Sequence, residues 1–137
     1  MTGRRGFRVA HRAVMAGTVA SCHDLSDGGL AVAAAESAFA GGYGMALGLS
    51  RMLWKGDKSG QNDATLLFSE SASRHLVTVH PERRDEFEAN MSGNCFASIG
   101  VVTEVPELSI TGLNGSTVVK AGLVELKEAW QKPLRDL

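Results

Sequence analysis

Along the first third of the chain the apolar residues change period in a way that reads as helix, strand, helix, strand. Phe7, Val9, Ala10, Ala13, Val14 and Ala16 recur at helical spacing and stop at Gly17, which predicts a helix over residues 6–16 ending on a glycine cap. The β-branched, apolar run 18–22 predicts a short strand that finishes at His23. Leu30, Ala34 and Ala38 then stand at i, i+4 and i+8 before Gly41-Gly42, so a second helix follows a tight loop. Ser26 is placed to cap that helix and Asp27 to put a carboxylate in its first turn. Its many alanines suit close packing on whatever lies beneath. Tyr43, Met45, Leu47 and Leu49 alternate with Gly44, Ala46 and Gly48, a strand with bulk on one face and little on the other; the small face is expected to lie under a helix or another backbone.

The remainder is less regular. Residues 50–62, with Gly56, Gly60 and mixed charges, read as an exposed loop, and Asn62 is positioned to cap a short helix over 63–68. A strand is predicted over 75–79, and Pro81 opens a charged helix to about Asn90, because proline is tolerated at the first helical position. Strands follow over 96–102 and 108–111, and Asn114-Gly115 signals a hairpin into 117–120. A terminal helix over 124–130 should end or kink at Pro133. Helices and strands in this mixed order, without an internal repeat, predict an α+β fold with a mixed β-sheet on which helices pack.

With 137 residues the chain is expected to be a single domain, 1–137. Its 44% hydrophobic and 21% charged residues argue against disorder and against a coiled coil. Glycine is the outlier at 16 residues, and the glycines fall in pairs and short clusters, as tight turns and close backbone approaches require. A net charge of −1 with no basic block longer than two arginines gives no sign of nucleic-acid binding. Cys22 and Cys95 lack zinc-ligand spacing and read as two buried thiols of a cytoplasmic protein. No signal peptide follows Arg4-Arg5, because Arg8, His11 and Arg12 interrupt any apolar stretch, and no run is long enough to span a membrane.

Candidate chemistry concentrates in His23-Asp24-Leu25-Ser26-Asp27-Gly28-Gly29, a polar, glycine-ended turn between a strand and a helix. Such a junction places free helix amides beside loop atoms, where an anion or a partner's carboxylate can sit. The plainer reading is a capped turn whose glycines merely permit packing. Calcium is excluded because no glutamate occupies the twelfth position counted from Asp24. Ser69-Glu70-Ser71, with Arg74 following, forms a second polar cluster, which reads equally well as an ordinary helix exit. Glu36 lies on an otherwise small and apolar helix and is expected on its wet face. His11, His75 and His80 read as surface residues.

The run 19–33, Val-Ala-Ser-Cys-His-Asp-Leu-Ser-Asp-Gly-Gly-Leu-Ala-Val-Ala, resembles the opening of the C-terminal domain of the phosphoribosylformylglycinamidine synthases, members of the aminoimidazole ribonucleotide synthetase superfamily. The resemblance continues through Glu36, Ala40-Gly41-Gly42, Leu66-Leu67-Phe68-Ser69-Glu70-Ser71, Arg74 and Ile99-Gly100-Val101-Val102, and more loosely at Trp130. It implies part of an ATP-dependent carbon–nitrogen ligase of purine biosynthesis, which converts formylglycinamide ribonucleotide to formylglycinamidine ribonucleotide. ATP and magnesium would be bound by the full enzyme, mainly on an N-terminal domain with acidic metal ligands and a glycine motif. Nothing like that domain precedes Met1, so the fragment alone is expected to bind neither and to be inactive. The partners implied are that ATP-binding domain, a glutaminase subunit or domain that supplies ammonia, and the nucleotide substrate.

The resemblance makes this chain one wall of a cleft lined by His23, Asp24, Ser26, Asp27, Gly28, Gly29, Ser69, Glu70 and Ser71. In the family the Ser-Glu-Ser stretch lies near the substrate's phosphate, but the substrate-contacting copy usually continues with glutamine, and here Ala72 follows. The wall therefore belongs either to the active cleft or to its pseudo-symmetric counterpart. Two other readings remain open from sequence: a free-standing α+β module that senses a small anion, and the equivalent domain of a relative such as selenophosphate synthetase.

Overall fold

The computed structural model describes residues 3–135. Helix α1 (Gly3–Met15) ends where Gly17 takes a φ of 69°, and the buried Thr18 hydroxyl donates to the Ala13 carbonyl at 2.9 Å, closing the last turn. Strand β1 (Val19–Asp24) leads to helix α2 (Gly29–Gly41), then strand β2 (Gly44–Gly48). Helix α3 (Asp63–Phe68), strand β3 (His75–Val79) and helix α4 (Arg84–Met91) follow. The chain closes with β4 (Gly100–Thr103), β5 (Glu107–Thr111), β6 (Thr117–Gly122) and helix α5 (Leu123–Arg135).

These elements build an α+β fold with two sheets among the described residues. β1 and β3 form an antiparallel ribbon with Cys22 opposite Val77 and His23 opposite Leu76. The larger sheet runs β4-β2-β5-β6, and it is mixed because β2 and β5 are parallel while the outer pairs are antiparallel. Period-two burial fixes its register: Met45 and Leu47 of β2 and Leu108 and Ile110 of β5 share the buried face. Against that face packs α2, whose Leu30, Ala33, Ala34 and Ala38 are buried with Leu49, Leu66, Leu67 and Leu123 in one core. Alanine brings α2 close to α3 and α5, as its composition foretells.

Most predicted elements form, and the departures have local causes. Residues 96–99 are not a strand, because β2 offers a partner only as far as Gly100, opposite Leu47, and then coils into a 3-10 turn at Leu49–Arg51. Phe96 instead packs edge-on against Phe87 of α4 at 6.3 Å between ring centres. Pro133 does not end α5; it lies inside the final turn, where few further hydrogen bonds remain to be lost. The small face of β2 is only partly covered: Gly44 lies against the Val105 backbone, whereas Ala46 is exposed. Cys22 and Cys95 are free, as expected, but exposed and not buried; Cys22 is on β1, which presents four of its six residues to solvent.

Candidate functional site

The polar turn between β1 and α2 and the turn between α3 and β3 meet, because β1 and β3 are hydrogen-bonded neighbours whose ends bring both loops to one edge. Asp24 lies opposite His75, and the Leu25 amide donates to the Arg74 carbonyl at 3.1 Å. The Gly28 amide donates to Glu70 Oε1 at 2.8 Å across a separation of 42 residues. Asp24, Ser26, Glu70, Ser71 and Arg74 are among the residues lining an open cleft of about 240 Å³ at this junction.

Local chemistry differs from the simplest sequence reading. Ser26 does not cap α2: the cap position is Gly28, at a φ of 74°, with no side-chain cap, and Asp27 lies outside the first turn. The helix begins two residues later because Gly28 and Gly29, both at positive φ, carry the chain round a left-handed corner that a side chain would strain. Gly29 is buried, and a β-carbon there would lie 2.7 Å from the Leu67 carbonyl oxygen, so this glycine permits α2 to dock on α3. A β-carbon on Gly28 would collide with the Val32 side chain. The Ser26 hydroxyl instead donates to the Asp24 carboxylate, and that bond holds Asp24 below the usual carboxylate range.

The helix-start amide expected to receive an anion is already occupied by Glu70. Arg74 donates through Nη2 to the Ser69 carbonyl and, at 3.0 Å, to the Ser69 hydroxyl, which straps the Ser-Glu-Ser turn to the start of β3. Burial lowers its pKa, and its Nε is buried without a partner. Ser73, at a φ of 65°, completes this tight turn.

His23 and Glu36 do not line the cleft. His23 Nδ1 is 2.6 Å from the Asp24 carbonyl oxygen and its Nε2 is 2.7 Å from Glu36 Oε2. Glu36 Oε1 accepts the indole N–H of Trp130 at 2.8 Å, so the carboxylate expected on a wet face is a half-buried joint between β1, α2 and α5. Burial pulls the His23 pKa down, but the bond to the Asp24 carbonyl, the bond and charge of Glu36 and the charge of Asp24 outweigh it and leave it raised. Desolvation and, after it, Asp24 push the Cys22 thiol up, away from a reactive thiolate.

Of the nine residues singled out from sequence, Asp24, Ser26, Glu70 and Ser71 line the cleft. Gly28 and Ser69 serve the bonds that shape it, Gly29 serves packing, Asp27 is exposed and His23 turns to Glu36. The sequence reading missed Trp130 as a partner of Glu36, because two residues 94 positions apart on different helices share no periodic signal. Among the described residues no three His, Cys, Asp or Glu side chains converge as a metal site.

A mixed sheet with a small-residue helix packed on it, and a glycine turn bonded to a Ser-Glu-Ser turn, make this an α+β domain whose cleft lies where two polar turns meet. The chain belongs to the family described as AIR synthase related protein, C-terminal domain, which matches residues 4–112. It is 37% identical over 124 residues to the phosphoribosylformylglycinamidine synthase subunit PurL of Lactobacillus helveticus, covering 90% of this chain and 15% of that protein. It is 38% identical over 130 residues to the PurL subunit of Thermosynechococcus vestitus, covering 92% and 16%. The chain thus spans about 15% of the length of these curated relatives. Its fold matches Thermotoga maritima PurL complexed with FGAR, with a TM-score of 0.75 at 21% identity over 90% of this chain and 20% of that one. The PurLQS structure from the same organism gives a TM-score of 0.77, also at 21% identity, over 90% and 21%.

Proposed function

We propose that this chain serves as one C-terminal-type domain of a phosphoribosylformylglycinamidine synthase and forms a wall of its active or pseudo-active cleft. The observation that carries the reading is the bond between Gly28 and Glu70, which joins the two most distinctive family motifs of the chain at one cleft. In the reaction that this reading implies, ATP activates the amide oxygen of formylglycinamide ribonucleotide, and ammonia from a glutaminase partner displaces the phosphate. In this reading ATP and magnesium would be held mainly by an N-terminal ATP-binding domain of the full enzyme. Two unpaired thiols support a cytoplasmic setting. Among the described residues no helix is long and apolar enough to cross a membrane.

In that reaction the residues of this chain orient and do not transfer. The left-handed glycines aim the turn, Glu70 pins it through the Gly28 amide, and Arg74 pins the other side through Ser69. Asp24 and Glu70 bring two carboxylates to the cleft beside Arg74, whose guanidinium is turned to Ser69; the carboxylates accept hydrogen bonds from hydroxyl or amine groups and repel a phosphate. That electrostatics, with Ala72 in place of glutamine, favours a supporting wall over direct phosphate contact. Occupation of the helix-start amide by Glu70 weighs against the free-standing anion sensor.

The test is a chimera in which this chain replaces the matching segment of the Lactobacillus helveticus subunit, assayed by growth of a purine auxotroph and by substrate-dependent ADP release from the purified enzyme. Restored growth and turnover, with none from the chain alone, are expected. A folded, soluble chimera that neither binds formylglycinamide ribonucleotide nor turns over overturns the reading.

A further inference from the structure

β4 is an outer strand of the larger sheet, and one bond fixes its hydrogen-bonding phase. The Gly48 amide donates to the Ile99 carbonyl at 2.8 Å, which makes Gly48 and Ile99 a hydrogen-bonded pair. Antiparallel pairs alternate, so Val101 opposite Ala46 and Thr103 opposite Gly44 also bond to β2, and Gly100 and Val102 turn their N–H and C=O groups outward. Among the described residues no strand lies beyond them and no loop backbone bonds to these groups.

The side chains along this edge are uneven. Gly100 and Val102 lie opposite Leu47 and Met45, on the face where α2 packs, whereas Val101 shares the other face with Ala46. Gly100 admits no larger residue, since a β-carbon there would lie 2.1 Å from the Ala46 carbonyl oxygen. A gap therefore stands beside the exposed Val102 on the free edge.

We propose that β4 is an association edge whose occupant is β4 of a second copy of this chain, paired antiparallel about a two-fold axis at Val101. In that register Gly100 of each copy faces Val102 of the other, and each facing pair exchanges both of its backbone bonds. Val102 fills the gap left by the other copy's Gly100. Val101 meets its own twin at a non-hydrogen-bonded position, where side chains lie closest and α-carbons are about 4.5 Å apart. The one charge within residues 98–104 is Glu104, which falls opposite Ser98 of the other copy, so like charges do not meet.

The other edges are guarded: β6 carries Lys120 in mid-strand, and the β1-β3 ribbon carries His23, Asp24 and His75. Pairing through β4 consumes that edge in both copies, so assembly closes at a dimer. Exposed surface suffices for it. The chain exposes 9000 Å² where a compact monomer of its mass exposes about 6,900 Å², and a stable association covers about 800 Å² on each partner.

The pairing does not depend on the ligase reading and is tested on the chain itself, with Cys22→Ser and Cys95→Ser in every variant used for cross-linking. Sedimentation over a concentration series should show a monomer–dimer equilibrium and no larger species. Val101→Cys should oxidise to a disulfide-linked dimer, because twin cysteines at a non-hydrogen-bonded antiparallel site fall within bridging distance. Val102→Cys, which faces Gly100 across the axis, should stay unlinked. Val102→Pro removes an outward N–H and no bond to β2, a place where an edge strand tolerates proline. It should weaken the dimer about tenfold or more with an unchanged circular dichroism spectrum. If Val102→Pro does not fold, the two cysteine variants decide. A chain that stays monomeric throughout the series, whether its edge is idle or serves another domain, overturns the pairing. So does equal cross-linking at 101 and 102, or a dimer that folded Val102→Pro leaves as tight as before.

Discussion

Ser26 and Asn62 show how a residue type becomes a cap only when the backbone lets it. Both precede helical patterns and both carry a side-chain oxygen. Asn62 sits in extended backbone immediately before α3 and accepts from the Thr65 amide at 2.9 Å. Ser26 is separated from α2 by Asp27 and the left-handed Gly28, and its hydroxyl goes to Asp24. Asn62→Ala should therefore cost about 1 kcal/mol of stability, the usual worth of a cap. Ser26→Ala, exposed and without a helix to cap, should stay within about 0.5 kcal/mol. Chemical denaturation of both variants checks the pair, and a larger loss from Ser26→Ala would restore it as the cap. In the Ser26 variant the Asp24 carboxyl should also titrate higher, because its depressed pKa is caused first by that hydroxyl.

At the scale of elements, legibility followed the strength of the local pattern. The period-two run in β2, the Asn114-Gly115 hairpin with Gly115 at a φ of 85°, and the helix from Asn62 each form where the residues place them. Residues 96–99 look equally strand-like, but a strand needs a neighbour, and whether β2 extends far enough to supply one is decided by Leu49 diving into the core. The small residues of α2 are the clearest case of composition dictating packing. Ala33, Ala34 and Ala38 have no exposed surface, and the helix meets α3, α5 and both sheets. Ala34→Leu adds bulk where no space exists and should cost about 1–3 kcal/mol. Ala40→Leu, at an exposed position of the same helix, should be nearly silent. Thermal melts of the two variants, equal within error, would show that α2 is not closely packed. The joint at Glu36 was not legible at this scale, since its partners come from β1 and α5 and only the assembled fold brings them to one carboxylate.

The molecule as a whole exposes 9000 Å² at a mass of 14.5 kDa. A compact monomer of that mass exposes about 6,900 Å², so roughly 2,000 Å² is uncovered that a self-sufficient fold would bury. The excess has identifiable sources. The β1-β3 ribbon has no further strand on either edge among the described residues. β4 is an edge strand with Val101 63% and Val102 48% exposed, and Val105 beyond it is 63% exposed. Natural edges of this kind are normally blunted by charge, proline or a covering element, because unpaired amides and carbonyls beside apolar side chains recruit other strands. The isolated chain should therefore self-associate as its concentration rises and bind a hydrophobic dye. Val101→Lys, which places a charge on the exposed face of β4 opposite Ala46, should suppress association without lowering the melting temperature. Sedimentation velocity over a concentration series reads the first effect and dye fluorescence the second. A wild-type chain that stays monomeric at high concentration and binds no dye would mean that the uncovered surface is compatible with an independent fold, and the argument from excess surface would fail.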